Sequence, residues 1–457
     1  MATLLVKNAE VLVTMDEGRQ EVAGGGFFAT DGWIDKIGLA ADLPETADEV
    51  LDASGHVVLP GLINTHHHLY QTLTRGVPAA QSAGLFQWLR TLYPIWANLT
   101  PDDVFTATRT GLAELALSGC TTVFDHQYLW PNGSAVDDQV AAAREIGVRF
   151  HASRGSMSLS EKDGGLPPDS VVQDEDEILL DTERVIQEFH DPDPGAMIRI
   201  VVAPCSPFSV TGGAMRDAVA LARNHGVHLH THMAETMDEE AFCLETFGRR
   251  PIEYAEDLHW MGPDVWFAHG VFVSPDEVRR MAQAGTGVAH CPTSNMRVAS
   301  GIAPVAGYLA AGVRTGLGVD GSASNDASNM LAETRQAMLL ARLATAPGVG
   351  EPGEQLAVRD ALGMATNGGA AVLGRDDVGS LEPGKAADFF TIDLNRLEYA
   401  GAQWDPVAAA VLLQPSRVDN TYVHGRAVVR DAVLATAEER LLAQAHNEAT
   451  RRLISGA

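Results

Sequence analysis

The sequence predicts an α/β fold, a (β/α)8 barrel of the TIM type, together with a small β-domain that both chain ends build. Three observations lead to this prediction: a length of 457 residues, eight short apolar runs that alternate with amphipathic stretches, and flanks rich in β-type residues. Such alternation is typical of repeated βα units around a parallel sheet. Eight units favour a closed barrel over the alternative, a doubly wound open sheet.

The eight apolar runs have the composition of buried strands. They are residues 57–65, 121–125, 148–153, 198–204, 227–232, 265–269, 286–290 and 313–320. Helical periodicity separates them and is clear at 102–118, 136–146, 174–189, 213–225 and 275–284. We therefore expect a barrel over residues 58–379 and a composite β-sandwich of residues 1–57 and 380–457, in which only 436–455 has a helical period.

The charge balance argues against two classes of partner. The chain carries 32 basic and 60 acidic side chains, for a net charge of −28 at pH 7. Nucleic acid polymers and anionic membrane surfaces both select basic proteins. The N-terminus lacks a basic segment ahead of an apolar run, and about 18 consecutive apolar residues, the minimum for a membrane span, occur nowhere. We expect a cytoplasmic protein whose four scattered cysteines are reduced thiols.

Histidines and carboxylates cluster where the predicted strands end. His66 and His68 end the first strand, and alternation along a strand directs both to one side and His67 to the other. His232 ends the fifth strand and Asp320 ends the eighth. The carboxyl ends of barrel strands meet at one mouth, where active sites form.

This set of residue types predicts a metal site. Three histidines and a carboxylate suit Zn²⁺ or a similar first-row ion, whereas Ca²⁺ and Mg²⁺ prefer oxygen ligands. We predict one divalent metal ion, zinc with iron as the alternative, held by His66, His68, His232 and Asp320. Such an ion lowers the pKa of a bound water toward about 7 and supplies the hydroxide nucleophile of a hydrolase.

Three residues are predicted to be catalytic. Glu235 lies three residues beyond a predicted ligand, near enough to shuttle a proton. Asp320 can accept a proton from the water while it binds the metal. His269, at the end of the sixth strand, would hold the water or polarise the leaving side.

Four sequence runs resemble the amidohydrolase superfamily in its mononuclear aminohydrolase branch. They are PGLINTHHHLYQTLTRG (60–76), HTHMAET (230–236), AHCPTSN (289–295) and GLGVDGSASND (316–326). The end segments GSLEPGKAADFFTID (379–393) and VHGRAVVRD (423–431) are similar to the composite β-domain of that family, so the resemblance covers nearly the whole chain. Binuclear members use a carboxylated lysine on a barrel strand, and none of the four lysines here lies on a predicted strand, so the resemblance implies one metal.

Within the branch, the chain most resembles the 8-oxoguanine deaminases, which stand close to the s-triazine hydrolases. The resemblance lies in residues 66–89, 151–165 and 204–211. It implies hydrolytic deamination of an oxopurine, 8-oxoguanine giving urate and ammonia, in which Glu235 protonates a ring nitrogen and Asp320 passes a proton to the departing amine. Some dechlorinating relatives change one of these carboxylates, so their presence here favours an amine leaving group. The alternatives are an s-triazine or pterin amino- or chlorohydrolase, and a non-catalytic assembly protein on the same fold.

A flat heterocycle needs hydrogen bonds at its edges and a contact at its face. The candidates for these roles are Gln71, Trp96, Cys205 and Arg154. Three of them have an alternative role: Trp96, like Trp88, as part of the core, Cys205 as a small buried apolar residue, and Arg154 as the partner of an acidic neighbour. The expected partner is a small heterocyclic molecule, and the dimers that many relatives form are an associational reason to expect a homodimer.

Overall fold

Strands from the N-terminal residues begin two sheets outside the barrel. The computed structural model describes residues 1–344, 356–413 and 415–456. The first strands are β1 (Thr3–Lys7), β2 (Val11–Val13), β3 (Glu21–Ala23), β4 (Gly25–Thr30), β5 (Trp33–Leu39), β6 (Glu49–Asp52) and β7 (His56–Pro60). One sheet has the order β5-β4-β1-β6.

Eight parallel strands close the central barrel, which confirms the predicted (β/α)8 fold. They are β8 (Leu62–Asn64), β9 (Cys120–Asp125), β10 (Arg149–Ser156), β11 (Ile198–Pro204), β12 (His228–Met233), β13 (Val265–His269), β14 (Gly287–His290) and β15 (Thr315–Leu317). All eight overlap the apolar runs of the sequence. Their carboxyl ends face one side of the barrel, where the loops to the following helices begin.

The first predicted strand, 57–65, is in fact two strands with different partners. The backbone N–H of Gly61 donates to Asp388 outside the barrel, and the N–H of Leu62 donates to Gly119 beside β9. A Cβ at position 61 would lie 2.1 Å from Oγ1 of Thr121, so only glycine fits where the chain enters the barrel.

Helices cover the barrel and follow the predicted segments closely. The α-helices are α1 (Leu85–Trp96), α2 (Pro101–Leu117), α3 (Val136–Ile146), α4 (Glu175–Phe189), α5 (Gly212–His225), α6 (Met237–Phe247), α7 (Pro251–Asp257), α8 (Pro275–Ala284), α9 (Pro292–Arg297), α10 (Val305–Ala311), α11 (Met330–Ala344), α12 (Val358–Gly363), α13 (Gly369–Val372), α14 (Pro406–Leu412) and α15 (Glu439–Ser455). Capping residues set several boundaries. At α2, for example, Thr100 and Asp103 form a reciprocal capping box. Within the described residues, no helix combines the length and the apolar composition that a membrane span requires.

Strands from the C-terminal residues complete the second sheet outside the barrel. They are β16 (Phe389–Asp393), β17 (Asn420–Val423), β18 (Arg426–Arg430) and β19 (Val433–Leu434). The sheet order is β19-β18-β17-β16-β7-β2-β3, and the antiparallel pair of β16 with β7 joins the two chain ends. The predicted β-unit built from both ends is therefore present.

A buried ion pair ties this sheet to the barrel, and its loss is expected to destabilise the protein. Arg149 on β10 donates from Nε to Asp388 at 2.7 Å and from a terminal nitrogen to the same carboxylate at 3.1 Å, and both side chains are buried. Asp388→Ala leaves a buried guanidinium without its counterion, which typically costs about 3–5 kcal/mol. Urea unfolding measures the loss of stability.

An exposed ion pair provides the control for this prediction. Arg249 and Asp257 lie 2.9 Å apart with both side chains more than half exposed. Asp257→Ala is therefore expected to change stability by less than about 1 kcal/mol. Equal effects of the two substitutions would contradict the assigned role of the Arg149 pair.

Candidate metal centre and active site

The structure brings the four predicted metal ligands together at the carboxyl ends of the strands. His66 and His68 follow β8, His232 lies on β12, and Asp320 follows β15. Nε2 of His66 and Nε2 of His68 lie 3.3 and 3.2 Å from Oδ1 of Asp320. Nε2 of His68 is also 3.1 Å from Nε2 of His232. All four side chains are buried.

Hydrogen bonds to backbone carbonyls determine the tautomer of two of these rings. Nδ1–H of His68 donates to the carbonyl oxygen of His126 at 2.5 Å, and Nδ1–H of His232 donates to that of Cys205 at 2.7 Å. In the neutral form of each ring, which metal binding requires, the single N–H is at Nδ1 and Nε2 is an unprotonated lone pair. Burial holds the pKa of His232 well below its ordinary value. Two lone pairs that face each other at 3.1 Å repel unless a cation lies between them.

His66 takes the same tautomer, with its N–H at Nδ1, through a hydrogen bond to His230, a residue that the sequence analysis missed. Nδ1–H of His230 donates to the carbonyl of Trp266 at 3.0 Å, so Nε2 of His230 can only accept. It accepts from Nδ1–H of His66 at 2.9 Å, which leaves Nε2 of His66 unprotonated. Burial lowers the pKa of His66 to about 3. The available signal for His230 was its i, i+2 spacing from His232, which places both rings on the inner side of β12.

These observations test whether the residues fit a metal ion. Nε2 of His66 is buried and has no hydrogen-bond partner within the part of the chain that the structure describes, although the Asp320 carboxylate lies within ion-pair distance. Three unprotonated imidazole nitrogens and a carboxylate oxygen are a donor set that zinc and other first-row divalent ions prefer. The residues therefore fit a divalent metal ion.

Glu235 and His269 form a pair beside the ligands. Nδ1–H of His269 donates to Oδ1 of Asn295 at 2.9 Å, so its Nε2 is unprotonated and lies 3.6 Å from Oε2 of Glu235. Burial and the charge of Asp320 raise the pKa of Glu235 to about 8. Both effects favour the protonated form of the Glu235 carboxyl, which can therefore serve as an acid.

A cavity adjoins these residues. Most of its wall is apolar or aromatic, with a few polar groups, as is usual for small-molecule sites. Besides the predicted ligands, Glu235 and His269, the residues that line it are Gln71, Leu85, Trp88, Leu89, Tyr93, Tyr128, Cys205, Phe208, Ser294, Val298 and Ser324.

Two of the four predicted substrate contacts line this cavity. The thiol of Cys205 does so as a neutral group, since burial raises its pKa to about 12. Gln71 does so with a buried Oε1 for which the described residues offer no hydrogen-bond partner. A Cβ at Gly321 would lie 1.9 Å from that oxygen, so the glycine gives the amide its place.

The structure corrects the predictions for Trp96 and Arg154. Trp96 lies behind the cavity wall, where its indole N–H donates to Oγ1 of Thr74 at 3.1 Å, and Trp88 lines the cavity instead. The Arg154 side chain turns toward α4, where Nε donates to Asp181 at 2.6 Å. Both residues therefore have the structural role that was the alternative for each.

The comparisons with known proteins agree with this architecture. The model of the amidohydrolase family matches residues 57–428. The chain belongs to the amidohydrolase family. This confirms the family prediction from the sequence and, with it, the prediction of a hydrolytic enzyme.

Relatives and solved structures match this amidohydrolase over nearly its whole length. It is 48% identical to the 8-oxoguanine deaminase of Pseudomonas aeruginosa, over 95% of this chain and 96% of that protein. It is 40% identical to the hydroxydechloroatrazine ethylaminohydrolase of Pseudomonas sp. (strain ADP), over 100% of this chain and 97% of that protein. The crystal structure of an atrazine chlorohydrolase from Arthrobacter aurescens, complexed with zinc, matches with a TM-score of 0.92 and 30% identity, over 98% of this chain and 100% of that one.

The three consecutive histidines allow a matched test of metal binding by this amidohydrolase. His68→Asn is expected to lower the metal content of the purified protein more than about tenfold, because it removes a ligand nitrogen and the contact with Asp320. His67→Asn is the control, since Nε2 of His67 is occupied by Oγ of Ser328 at 2.9 Å. Mass spectrometry of the bound metal measures both variants. Equal metal loss in the two would contradict the assignment of the ligands.

Proposed function

We propose that this amidohydrolase is a metal-dependent aminohydrolase that converts 8-oxoguanine to urate and ammonia. The observation that carries the proposal is the buried Glu235 carboxyl, whose pKa is raised, beside the three convergent Nε2 atoms of His66, His68 and His232. The 48% identity to an 8-oxoguanine deaminase supports the substrate. With a net charge of −28, the protein suits a free heterocycle better than a nucleic acid polymer.

We assign the ligand set to His66, His68, His232 and Asp320, and propose a single zinc ion, with iron as the alternative. When bound, the ion activates a water molecule as the nucleophile. Hydrogen bonds from Nδ1 of the three rings, to His230 and to two backbone carbonyls, orient the Nε2 atoms that would bind the metal.

The protein residues supply the proton transfers. Glu235 donates its proton to the ring nitrogen next to the carbon that bears the amine, which makes that carbon more electrophilic. Asp320 takes a proton from the attacking water and passes it to the amine, which leaves as ammonia. The second proton of the water leaves the new hydroxyl group and returns to Glu235, which restores the acid and forms the carbonyl. Over one cycle the water thus supplies the carbonyl oxygen, and its two hydrogens balance the one gained by the ring nitrogen and the one gained by ammonia. Nε2 of His269 faces the Glu235 carboxyl at 3.6 Å, beyond hydrogen-bond distance, and we propose that this ring holds the attacking water or polarises the leaving side.

The cavity suits a flat bicyclic ring. Trp88, Tyr93, Tyr128 and Phe208 offer aromatic surfaces to its faces. Gln71 offers a buried amide oxygen, free of other partners among the described residues, which would accept a ring N–H. We propose Gln71 and Cys205 as contacts with the edge of the ring.

A second candidate keeps the mechanism and changes the ring. The 40% identity to a hydroxydechloroatrazine ethylaminohydrolase favours an aminated s-triazine. That reaction also releases an amine, so an acid with a raised pKa at Glu235 suits it equally well.

The release of ammonia, alkylamine or chloride by purified protein of known metal content tests the proposal. The panel contains 8-oxoguanine, guanine, isoguanine, isoxanthopterin, an aminotriazine and a chlorotriazine. We expect the highest kcat/KM for 8-oxoguanine. Preference for another ring would overturn the substrate and leave the mechanism in place, whereas a metal-loaded protein inert toward every ring would favour a non-catalytic assembly protein.

A further inference from the structure

Glu239 binds the backbone that carries the catalytic acid. Its side chain is fully buried, near the start of α6. Oε1 accepts from the backbone N–H of Ala234 at 2.8 Å, and Oε2 accepts from the backbone N–H of Glu235 at 2.7 Å. One carboxyl group thus holds two consecutive amides through two short hydrogen bonds.

This arrangement departs from an ordinary capping box. Thr236 is the N-cap of α6, and its side chain accepts from the N–H of Glu239, the third helical residue. In a capping box the carboxylate at that position accepts from the N–H of the N-cap itself. Glu277 does so in α8, where it accepts from the N–H of Ser274 at 2.7 Å. Glu239 instead reaches past Thr236 to the two residues before it.

The backbone held in this way is strained. Ala234 has a φ of 57°, in the left-handed region that residues with a Cβ seldom adopt. Its carbonyl accepts from the N–H groups of Val271 and Phe272 at 2.8 and 2.9 Å, just beyond His269. Such a conformation persists only where surrounding contacts impose it, and strained positions of this kind concentrate at active sites. The peptide between β12 and α6 is therefore fixed from both sides, with Glu235 directly after it.

We propose that Glu239 is a positioning residue, which holds the 234–235 backbone so that the Glu235 carboxyl stays opposite Nε2 of His269. The inference rests on the proposed function, in which Glu235 is the acid. Glu239 itself does not touch the reacting atoms. Its hydrogen bonds hold the backbone of residues 234–235 instead of capping the N-terminus of α6.

Glu239→Gln tests the role with little change in size. The glutamine has one acceptor in place of two, and its NH₂ group faces a backbone N–H. We expect kcat for ammonia release to fall about 100-fold, since a displacement of about 1 Å at a reacting group has effects of this order. KM is expected to stay within about threefold, and the metal content to stay unchanged, because substrate and metal contacts remain. Hydrogen exchange in peptides covering residues 233–240 is expected to become faster.

Glu277→Gln is the control, since that carboxylate has the ordinary capping role, together with an ion pair to Arg250 at 3.0 Å, and does not bind the 234–235 backbone. It is expected to lower Tm while kcat stays within about twofold. A Glu239→Gln protein whose kcat falls less than about tenfold, or whose 233–240 exchange is unchanged, would overturn the proposal. If Glu239→Gln does not fold, Glu239→Asp replaces it, because the shorter side chain cannot reach both amides.

The two readouts separate this inference from the proposed function. A wild-type protein that releases no ammonia from any ring would defeat the proposed function, and with it a role for Glu239 in positioning an acid. A wild-type protein that is active, with an equally active Glu239→Gln variant, would defeat only the inference. Faster exchange together with a lower kcat supports both.

Discussion

Asp320→Asn is expected to lower kcat for ammonia release by about 10³- to 10⁴-fold, the upper range for loss of a positioned proton-transfer group. The Asp320 carboxylate lies 3.3 and 3.2 Å from the Nε2 atoms of His66 and His68. Asparagine removes the negative charge of the donor set and the only group there that can take a proton from the attacking water. The variant should therefore lose both metal and activity. Steady-state ammonia release and metal analysis of the same preparation measure the two effects.

Asp326→Asn is the control for this substitution, because it makes the same chemical change in the same loop. The Asp326 side chain is half exposed and pairs with Arg297 at 3.4 Å, away from the ligand nitrogens. We expect its kcat to stay within about twofold of wild type. An Asp320→Asn protein that keeps more than about a tenth of the wild-type activity would contradict the assigned role.

The strand ends could be predicted because two local rules determine them. Apolar runs separated by helical stretches give the order of the strands, and a parallel barrel brings all their carboxyl ends to one mouth. His66, His68, His232 and Asp320 come together for that reason, although they are distant in sequence. Alternation along β12 also directs His230 into the barrel. Its role was not predicted because no sequence pattern marks a histidine that accepts a hydrogen bond from another histidine.

Other features depend on distances that the sequence does not contain. The switch of partners at Gly61 is invisible within one continuous apolar run, since it depends on Thr121 and Asp388 from other parts of the chain. Trp88 and Trp96 are eight residues apart, or about 12 Å along α1, so periodicity gives their face of the helix but not their depth. Polar residues occur at both alternating positions of β10, so the pattern could not tell whether Arg154 faces the barrel or α4.

Glu235→Gln is expected to lower kcat by about 10²- to 10⁴-fold while the metal remains bound. Glutamine has the size of the acid but no proton to give to the ring nitrogen. Because Glu235 lies outside the proposed ligand set, metal content separates this variant from Asp320→Asn. Metal analysis and ammonia release on one preparation provide the measurement, and loss of metal from Glu235→Gln would contradict the division between ligands and acid.

The pH dependence of kcat/KM tests the same role of Glu235. Burial and the charge of Asp320 raise the pKa of Glu235 from an ordinary 4.5 to about 8, and a cation bound beside Asp320 offsets part of that charge. The acid works in its protonated form, so activity should be full below its pKa and fall as the pH rises through it, at a point between these two values. Glu235→Gln should lack this alkaline limb. Ionisation of the substrate ring appears in both profiles, so the difference between them isolates Glu235. Two profiles of the same shape would show that the proton on this carboxyl does not enter the reaction.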